Sequence, residues 1–394
     1  MKYKNLFQKL GLVLLSVSLT VLLAETALRF VYPAPLHYYV WPPHFRHTFK
    51  ADTTVLSGIN TISKFTINSY GVRVGGGSIN KETDIIRPTH DGRHVSTGRY
   101  VLCLGGSTTE CLYLDDNKTW EAQIANQAKA ASDSSLLFIG SIGKSGCTST
   151  ENYLHLKYCV SQYKKINTVI LMVGINDMLK RLSRDTLYQN NFGITPTIED
   201  SLVNVNFGTQ GSKNPTKHMA LYRLAQSVYH GVDRKNQDDS AQIYTTWRKN
   251  RLHALAYIDT LPDLQPALTA FERNINLIID EAEKQKLEVI FVNQAAFWRD
   301  SMSANEHAKL WMGGIGNFQE TSGHNYYTTH ALRQGLMLYN ERLAKVCRDR
   351  KVKYIDIDSQ LPHTEEVFYD DCHFNEAGAE MVGKIIYGEL KARF

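Results

Sequence analysis

The sequence predicts an α/β protein, a three-layer α/β/α sandwich around a five-stranded parallel sheet, with a membrane helix ahead of it at the N-terminus. Three observations predict this. Short apolar runs at 100–105, 136–142, 167–173, 287–293 and 352–357 are rich in Val, Ile and Leu, as strands buried on both faces must be. Helical stretches near 118–131, 150–163, 267–285, 330–349 and 375–391 follow them, and repeated strand-then-helix order makes a parallel sheet covered on both sides. Residues 1–32 are apolar behind a lysine-rich start.

At the amino end, Lys2, Lys4 and Lys9 precede Leu10 to Ala24, which has the charged start and apolar middle of an export segment. As a helix that run spans roughly 22 Å against a hydrocarbon core of roughly 30 Å, and continuing through Val31 makes up the difference. Cleavage after Ala24 would leave Leu22 where a small residue is preferred, so an uncleaved signal anchor over 1–32 is expected rather than secretion after cleavage. Lysines on the amino side place the N-terminus in the cytoplasm and the bulk of the chain outside it, periplasmic or extracellular. Glu25 and Arg29, four apart, are placed to pair near the interface.

Residues 33–98 are rich in Pro, His, Tyr, Thr and Gly, with short alternation such as Phe65 to Ser69, and are expected to form a tether and a partly β lead-in. His90 and His94 flank Asp91-Gly92, which fits a solvated turn better than a metal site. The main domain is expected over 99–394, interrupted at about 178–265 and 294–328. The first interruption is polar before turning helical around Ala241 to Ile258. It leaves the third strand at its carboxyl edge, where open α/β sheets bind ligands, so it should wall the site. The second leaves the fourth strand at the same edge and carries Trp298, Trp311 and Gly313-Gly314, tryptophans that either line a groove or pack a long loop.

A chain of 394 residues can bury the core of one large domain with insertions. Its net charge of +5 comes from mixed signs spread along the chain, which gives no argument for nucleic acid. Of the six cysteines, Cys103 lies in the central apolar run as a small buried residue. Cys111, Cys147, Cys159, Cys347 and Cys372 lack the spacing of zinc ligands, so no metal is expected. Cys147 and Cys372 adjoin motifs described next, and an oxidising compartment would permit a disulfide between them.

Four polar motifs fall just beyond apolar runs. Tyr100 to Leu104 ends in Gly105-Gly106, and Ser107-Thr108-Thr109-Glu110 opens a helix. Gly143-Lys-Ser-Gly146-Cys-Thr follows the second run, Gly174-Ile-Asn176-Asp177 the third, and Asp370-Asp-Cys-His373 comes after the fifth. Each residue type answers a chemical need. A serine hydroxyl is a poor nucleophile without an adjacent base, and imidazole suits that task. His373 is the candidate base for Ser107, and Asp370, three residues before it, can orient its other ring nitrogen. Asp371 competes for that role, but its neighbouring position should send it into solvent. A developing oxyanion needs fixed donors, which the Ser107 and Gly146 amides and the Asn176 side chain can supply. Taken singly, each motif also has a structural reading: a strand end, a helix cap or a surface turn.

Together, GGSTTE, the SGxT turn, GxND and a terminal DxxH resemble the SGNH (GDSL-like) hydrolase family over roughly 100–391. Asn68-Ser-Tyr-Gly71-Val-Arg73 and Glu25-Thr-Ala-Leu-Arg29 are similar to segments of its membrane-anchored bacterial members. The resemblance implies a flavodoxin-like sandwich, Ser107 as nucleophile, Gly146 and Asn176 as oxyanion-hole donors beside the Ser107 amide, His373 as base and Asp370 as its orienter. It implies no cofactor. Gly106 departs from the aspartate of the family name, and Ser141 stands where asparagine is usual. The expected activity is that of a serine ester hydrolase working through an acyl-enzyme, on short-chain O-acetyl esters of an extracytoplasmic carbohydrate. The rivals are an O-acyltransferase using the same triad, a lipid esterase, and a non-catalytic envelope scaffold or carbohydrate-binding protein.

Overall fold

Lys2–Val31 form a single helix, α1, whose apolar stretch Phe7–Arg29 of 23 residues is about 35 Å long at 1.5 Å per residue, enough to cross a bilayer core. Leu12, Leu14, Leu15 and Leu23 are all exposed, the reverse of a soluble core helix. A membrane anchor and an export signal both have this form. Glu25 and Arg29 pair at 2.8 Å. The computed structural model describes residues 2–31, 36–75, 85–86, 98–184, 196–207, 219–231 and 240–391. His90 and His94 lie outside them.

Strands β1 (Arg46–Lys50) and β2 (Ile62–Thr66) pair antiparallel. The strands that follow are β3 (Arg99–Gly105), β4 (Leu136–Ser141), β5 (Thr168–Met172), β6 (Tyr257–Ile258), β7 (Glu288–Val292), β8 (Tyr326–Tyr327) and β9 (Lys353–Ile355). Five of them form one parallel sheet in the order β4-β3-β5-β7-β9. That is the flavodoxin-like order, with its topological switch point between β3 and β5. β5 is buried along its whole length, and its Val-Ile-Leu-Met sequence is what two covered faces require.

The helices after α1 are α2 (Ser107–Glu110), α3 (Trp120–Ala130), α4 (Ser149–Leu154), α5 (Ile175–Arg184), α6 (Pro196–Phe207), α7 (Ala220–Gly231), α8 (Ser240–Leu252), α9 (Gln265–Gln285), α10 (Ala304–His307), α11 (Thr329–Arg350) and α12 (Glu376–Lys391). α3 and α12 pack together on one face of the sheet, while α4, α9, α11 and α5 pack as a layer on the other. α9 shows why such helices dock: Ala267, Phe271, Ile275, Ile278 and Ala282 recur at intervals of three and four and are all buried. Thr119 caps α3 and Thr328 caps α11 by accepting from main-chain N–H groups of the first turn.

The structure corrects two helix boundaries. The stretch expected to be one helix over 150–163 is α4, then a π turn at His155–Cys159 and a 3-10 turn at Val160–Gln162. The change of pitch lets Leu154, Leu156, Cys159 and Val160 all point into the core. The helix expected from Ala241 to Ile258 stops at Leu252, and Tyr257–Ile258 instead pair in parallel with Tyr326–Tyr327.

Val40, Leu56, Ile59 and Val72 from the lead-in belong to the same hydrophobic cluster as the sheet residues Leu102 and Ile170. Arg73 exchanges main-chain hydrogen bonds with Ser141 on the edge strand β4. Its buried guanidinium donates to the carbonyls of Glu110 (2.6 Å), Cys111 (3.0 Å) and Leu114 (2.6 Å) and to Asp116 (2.8 Å). The lead-in thereby fixes the chain that leaves α2.

Candidate active site

Strand ends position three of the four candidate segments. β3 delivers Gly105-Gly106 and then Ser107 at the head of α2; β4 leads to the turn holding Gly146, and β5 to Asn176 in the first turn of α5. Two of these strands flank the switch point, where such sheets open a crevice. The fourth contributor is not attached to a strand end. Asp370 to His373 lie in the loop before α12, held because Phe368 and Phe374 bridge across it and the Tyr369 N–H donates to the His373 carbonyl at 3.1 Å.

The Ser107 hydroxyl lies 2.7 Å from His373 Nε2, and His373 Nδ1 lies 2.7 Å from Asp370 Oδ2. Asp370 Oδ1 also accepts from the main-chain N–H groups of Cys372 (3.0 Å) and His373 (2.9 Å), and Oδ2 from the Trp311 indole (2.9 Å). Burial alone would raise the Asp370 carboxyl, but the charge and hydrogen bonds of His373 and the indole outweigh it and hold it below the usual carboxylate range. Burial would lower His373, and Asp370 outweighs that and raises it above the ordinary histidine value. The Tyr369 ring stacks on the imidazole at 5.6 Å between centroids, fixing its plane.

Gly146 has φ +77, a left-handed conformation that a side chain would strain. It lies on the cavity wall with Ser107 and Asn176. Asn176 Nδ2 donates to the Cys147 carbonyl at 2.9 Å, which orients the amide. A Cβ at Gly106 would fall 2.2 Å from that nitrogen. The glycine standing where the family name has aspartate is therefore matched to this packing. Ser141 Oγ, at the other departure, donates to the Thr109 carbonyl (3.3 Å) and accepts from the Gly143 N–H (3.2 Å), joining two of the motif turns. Asp177 accepts from the Ser149 N–H (3.0 Å) and hydroxyl (2.5 Å), which ties α4 to α5.

Asp371 overturns the expectation that it faces solvent. It is fully buried and accepts from the Trp298 indole (2.8 Å) and from the N–H groups of Trp311 (2.7 Å) and Met312 (3.1 Å). Asp371 thereby holds the main chain of Trp311, whose indole supports Asp370. Trp298 and Trp311 thus part company: the first is core, and the second both lines the cavity and touches Asp370. Cys147 and Cys372 are free thiols, as are the other four cysteines. Asp370, Cys372 and His373 place ligand atoms within 4.8 Å of one another, yet both imidazole nitrogens are already engaged and burial pushes the Cys372 thiol well up, away from the thiolate a metal needs.

Sequence reasoning missed the supports. Glu110 is buried behind Ser107 and accepts from the Ser145 hydroxyl, next to Gly146; burial raises its carboxyl. Arg248 on α8 donates to the carbonyls of Val55 (2.6 Å), Lys309 (3.0 Å) and Tyr369 (3.0 Å). Arg251 donates to those of Met312 and, at 2.9 Å, Tyr327. Nothing in the helical pattern distinguishes these arginines from surface charges.

The site opens into a cavity of about 520 Å³. A carboxylate, an imidazole and a hydroxyl in line are chemically able to carry out acyl transfer. On an α/β sheet such a line is compatible with an ester-bond hydrolase. The chain belongs to the GDSL-like Lipase/Acylhydrolase family, whose model matches residues 103–381. No curated protein matches it in sequence. Among solved structures, a catalytic mutant of an acetylxylan esterase from Geobacillus stearothermophilus is 12% identical with a TM-score of 0.40, over 76% of this chain and 96% of that one. A GDSL-like lipase from Bacteroides thetaiotaomicron is 11% identical with a TM-score of 0.38, over 75% and 89%. An alpha/beta hydrolase enzyme from the metagenome of Lake Arreo is 12% identical with a TM-score of 0.41, over 75% and 96%.

Proposed function

We propose that the chain is a membrane-anchored serine esterase that removes short acyl groups, acetyl above all, from an extracytoplasmic carbohydrate. Ser107 attacks the acyl carbonyl while His373 takes its proton. Asp370 holds the imidazole in the tautomer with Nδ1 protonated and stabilises the imidazolium. The oxyanion is received by the Ser107 and Gly146 amides and Asn176 Nδ2. His373 then returns the proton to the leaving alcohol, and water, deprotonated by the same imidazole, releases the acyl group and restores Ser107. The observation that carries this reading is the Ser107–His373–Asp370 line, with 2.7 Å at each link and with Ser107 and His373 on the wall of the cavity.

Retention of α1 as an anchor is supported by Glu25. It is buried and accepts from the N–H groups of Ala220 (2.9 Å) and Leu221 (3.0 Å), capping α7 as well as pairing with Arg29. A helix that left with a signal peptide would not need to be joined to the mature chain. The lysines before the span favour a cytoplasmic N-terminus and an extracytoplasmic site.

The test is hydrolysis of p-nitrophenyl acetate and longer-chain esters by the full chain in detergent, native against Ser107→Ala. Serine-dependent turnover favouring acetate is expected; long-chain preference would make it a lipid esterase, and equal turnover in both proteins would remove Ser107 from its role. Acyl transfer to an added sugar in place of water would identify a transferase.

A further inference from the structure

Asn176, Leu179, Lys180, Ser183 and Arg184 all line the cavity. Their spacing of three and four residues puts them on one face of α5, so the cavity follows this helix from the oxyanion donor for two turns, about 12 Å at 1.5 Å per residue. That length accommodates roughly two sugar rings beyond the reacting carbonyl, and the face ends in cations. Lys180 and Arg184 are both exposed. Among the described residues, no carboxylate lies within ion-pair distance of either. Lys180 acts electrostatically on Glu151 and Asp177, which are both engaged by hydroxyl and main-chain donors of α4 and the residue before it.

Aromatic rings face the cavity from the other side. Trp247 of α8 lies against Trp311 with centroids 4.5 Å apart and planes 32° apart, and Tyr244 joins them at 5.4 and 6.0 Å. Flat rings give a sugar an apolar face to lie on, whereas an acyl chain wants aliphatic side chains all round, and among the described residues the aliphatic lining is Leu112, Leu179 and Met312.

We infer that this groove is an anionic-glycan subsite, in which Lys180 and Arg184 receive the carboxylates of an acylated acidic polysaccharide whose rings rest on Trp247 and Trp311. The inference rests on the esterase reading and names its substrate class. Two cations one helical turn apart on a rigid element suit regularly spaced carboxylates, and partial exposure makes their effect one of capture rather than of the chemical step.

The experiment compares kcat/KM of the full chain for acetate release from O-acetylated polygalacturonate and from neutral O-acetylated xylan, with fatty-acid release from phosphatidylglycerol vesicles as a third arm. The acidic polymer is expected to be preferred, and that preference should weaken with added salt. Lys180→Ala with Arg184→Ala should cut the acidic-to-neutral ratio roughly tenfold through KM, and Lys180→Arg with Arg184→Lys should restore it. An unchanged ratio, or a preference for the neutral polymer in the native protein, overturns the inference while Ser107-dependent turnover of p-nitrophenyl acetate keeps the esterase reading. Faster turnover of the vesicles overturns it in favour of a lipid headgroup. Absence of any Ser107-dependent turnover removes both.

Discussion

The two sides of the cavity have different origins. One side is built by turns that β3, β4 and β5 must make when they leave the sheet, and it holds Ser107, Gly146 and Asn176. The other is built by α8 and the chain around Trp311, which the sheet does not require. The first side gets its precision from strand geometry. The second gets it from arginines: Arg248 and Arg251 reach across to carbonyls of Val55, Lys309, Met312, Tyr327 and Tyr369, and Asp371 braces the main chain of Trp311. Asp370 and His373 stand between the two, their loop touched by both. The first side carries the candidates for the reaction, and the second holds a wall against them.

The largest expected effect is on the first side. Ser107→Ala or His373→Ala should lower kcat about a millionfold, as loss of a nucleophile or its base does when the two act as a unit; the double variant should lose little more, and steady-state ester hydrolysis checks both. Asp370→Asn should cost about ten thousandfold in kcat by leaving the imidazole in the wrong tautomer. It should also move the pH profile. His373 must be neutral to accept the proton, and its pKa is raised, so native kcat/KM falls as pH drops through a midpoint above about 6.5. Without the Asp370 charge, burial is left to lower His373, and the midpoint shifts to more acidic pH. A profile that stays in place would break the link between the two groups.

Asn176→Ala comes next, with a loss of about a hundred- to a thousandfold in kcat and little change in melting temperature. A comparable loss of stability would instead make its hydrogen bond to Cys147 structural. On the second side, Arg248→Ala should leave chemistry nearly intact and destabilise the chain by about 2 kcal/mol, since hydrogen bonds from a charged donor are lost; thermal unfolding measures this, with KM expected to rise more than kcat falls. The smallest effect should come from Trp311→Phe. It keeps the ring on the wall and removes only the indole donor to Asp370, for a loss within about tenfold; a loss as large as that of Asp370→Asn would place Trp311 in the reacting line.

The sequence made the first side legible for a physical reason. Apolar runs of strand length announce a parallel sheet, and polar residues just beyond them fall on its carboxyl edge whatever the rest of the chain does. On the second side the sequence placed the insertion as a wall and Trp311 in the loop beside it, but the braces were not legible, because Arg248 and Arg251 look like ordinary surface charges in their own segments. Their partners are main-chain carbonyls that, but for Lys309 and Met312 some sixty residues on, lie still farther away along the chain.

Asp370 and Asp371 show where the division falls. Adjacent carboxylates in one loop have the same chemistry, and spacing to His373 singles out the first. That choice is local, and the sequence by itself pointed to it, together with the sheet, the helices that cover it apart from the change of pitch after Leu154, and the apolar length of α1. The fate of Asp371 was decided only by the tertiary structure, because burial beside Trp298, Trp311 and Met312 depends on a loop from elsewhere in the chain. The same holds for Glu25: its place in an apolar helix is written in the sequence, but the α7 amides that satisfy it arrive only when the chain folds back. Local periodicity sets elements and their ends, whereas satisfaction of buried charge is settled by partners that only folding brings within reach.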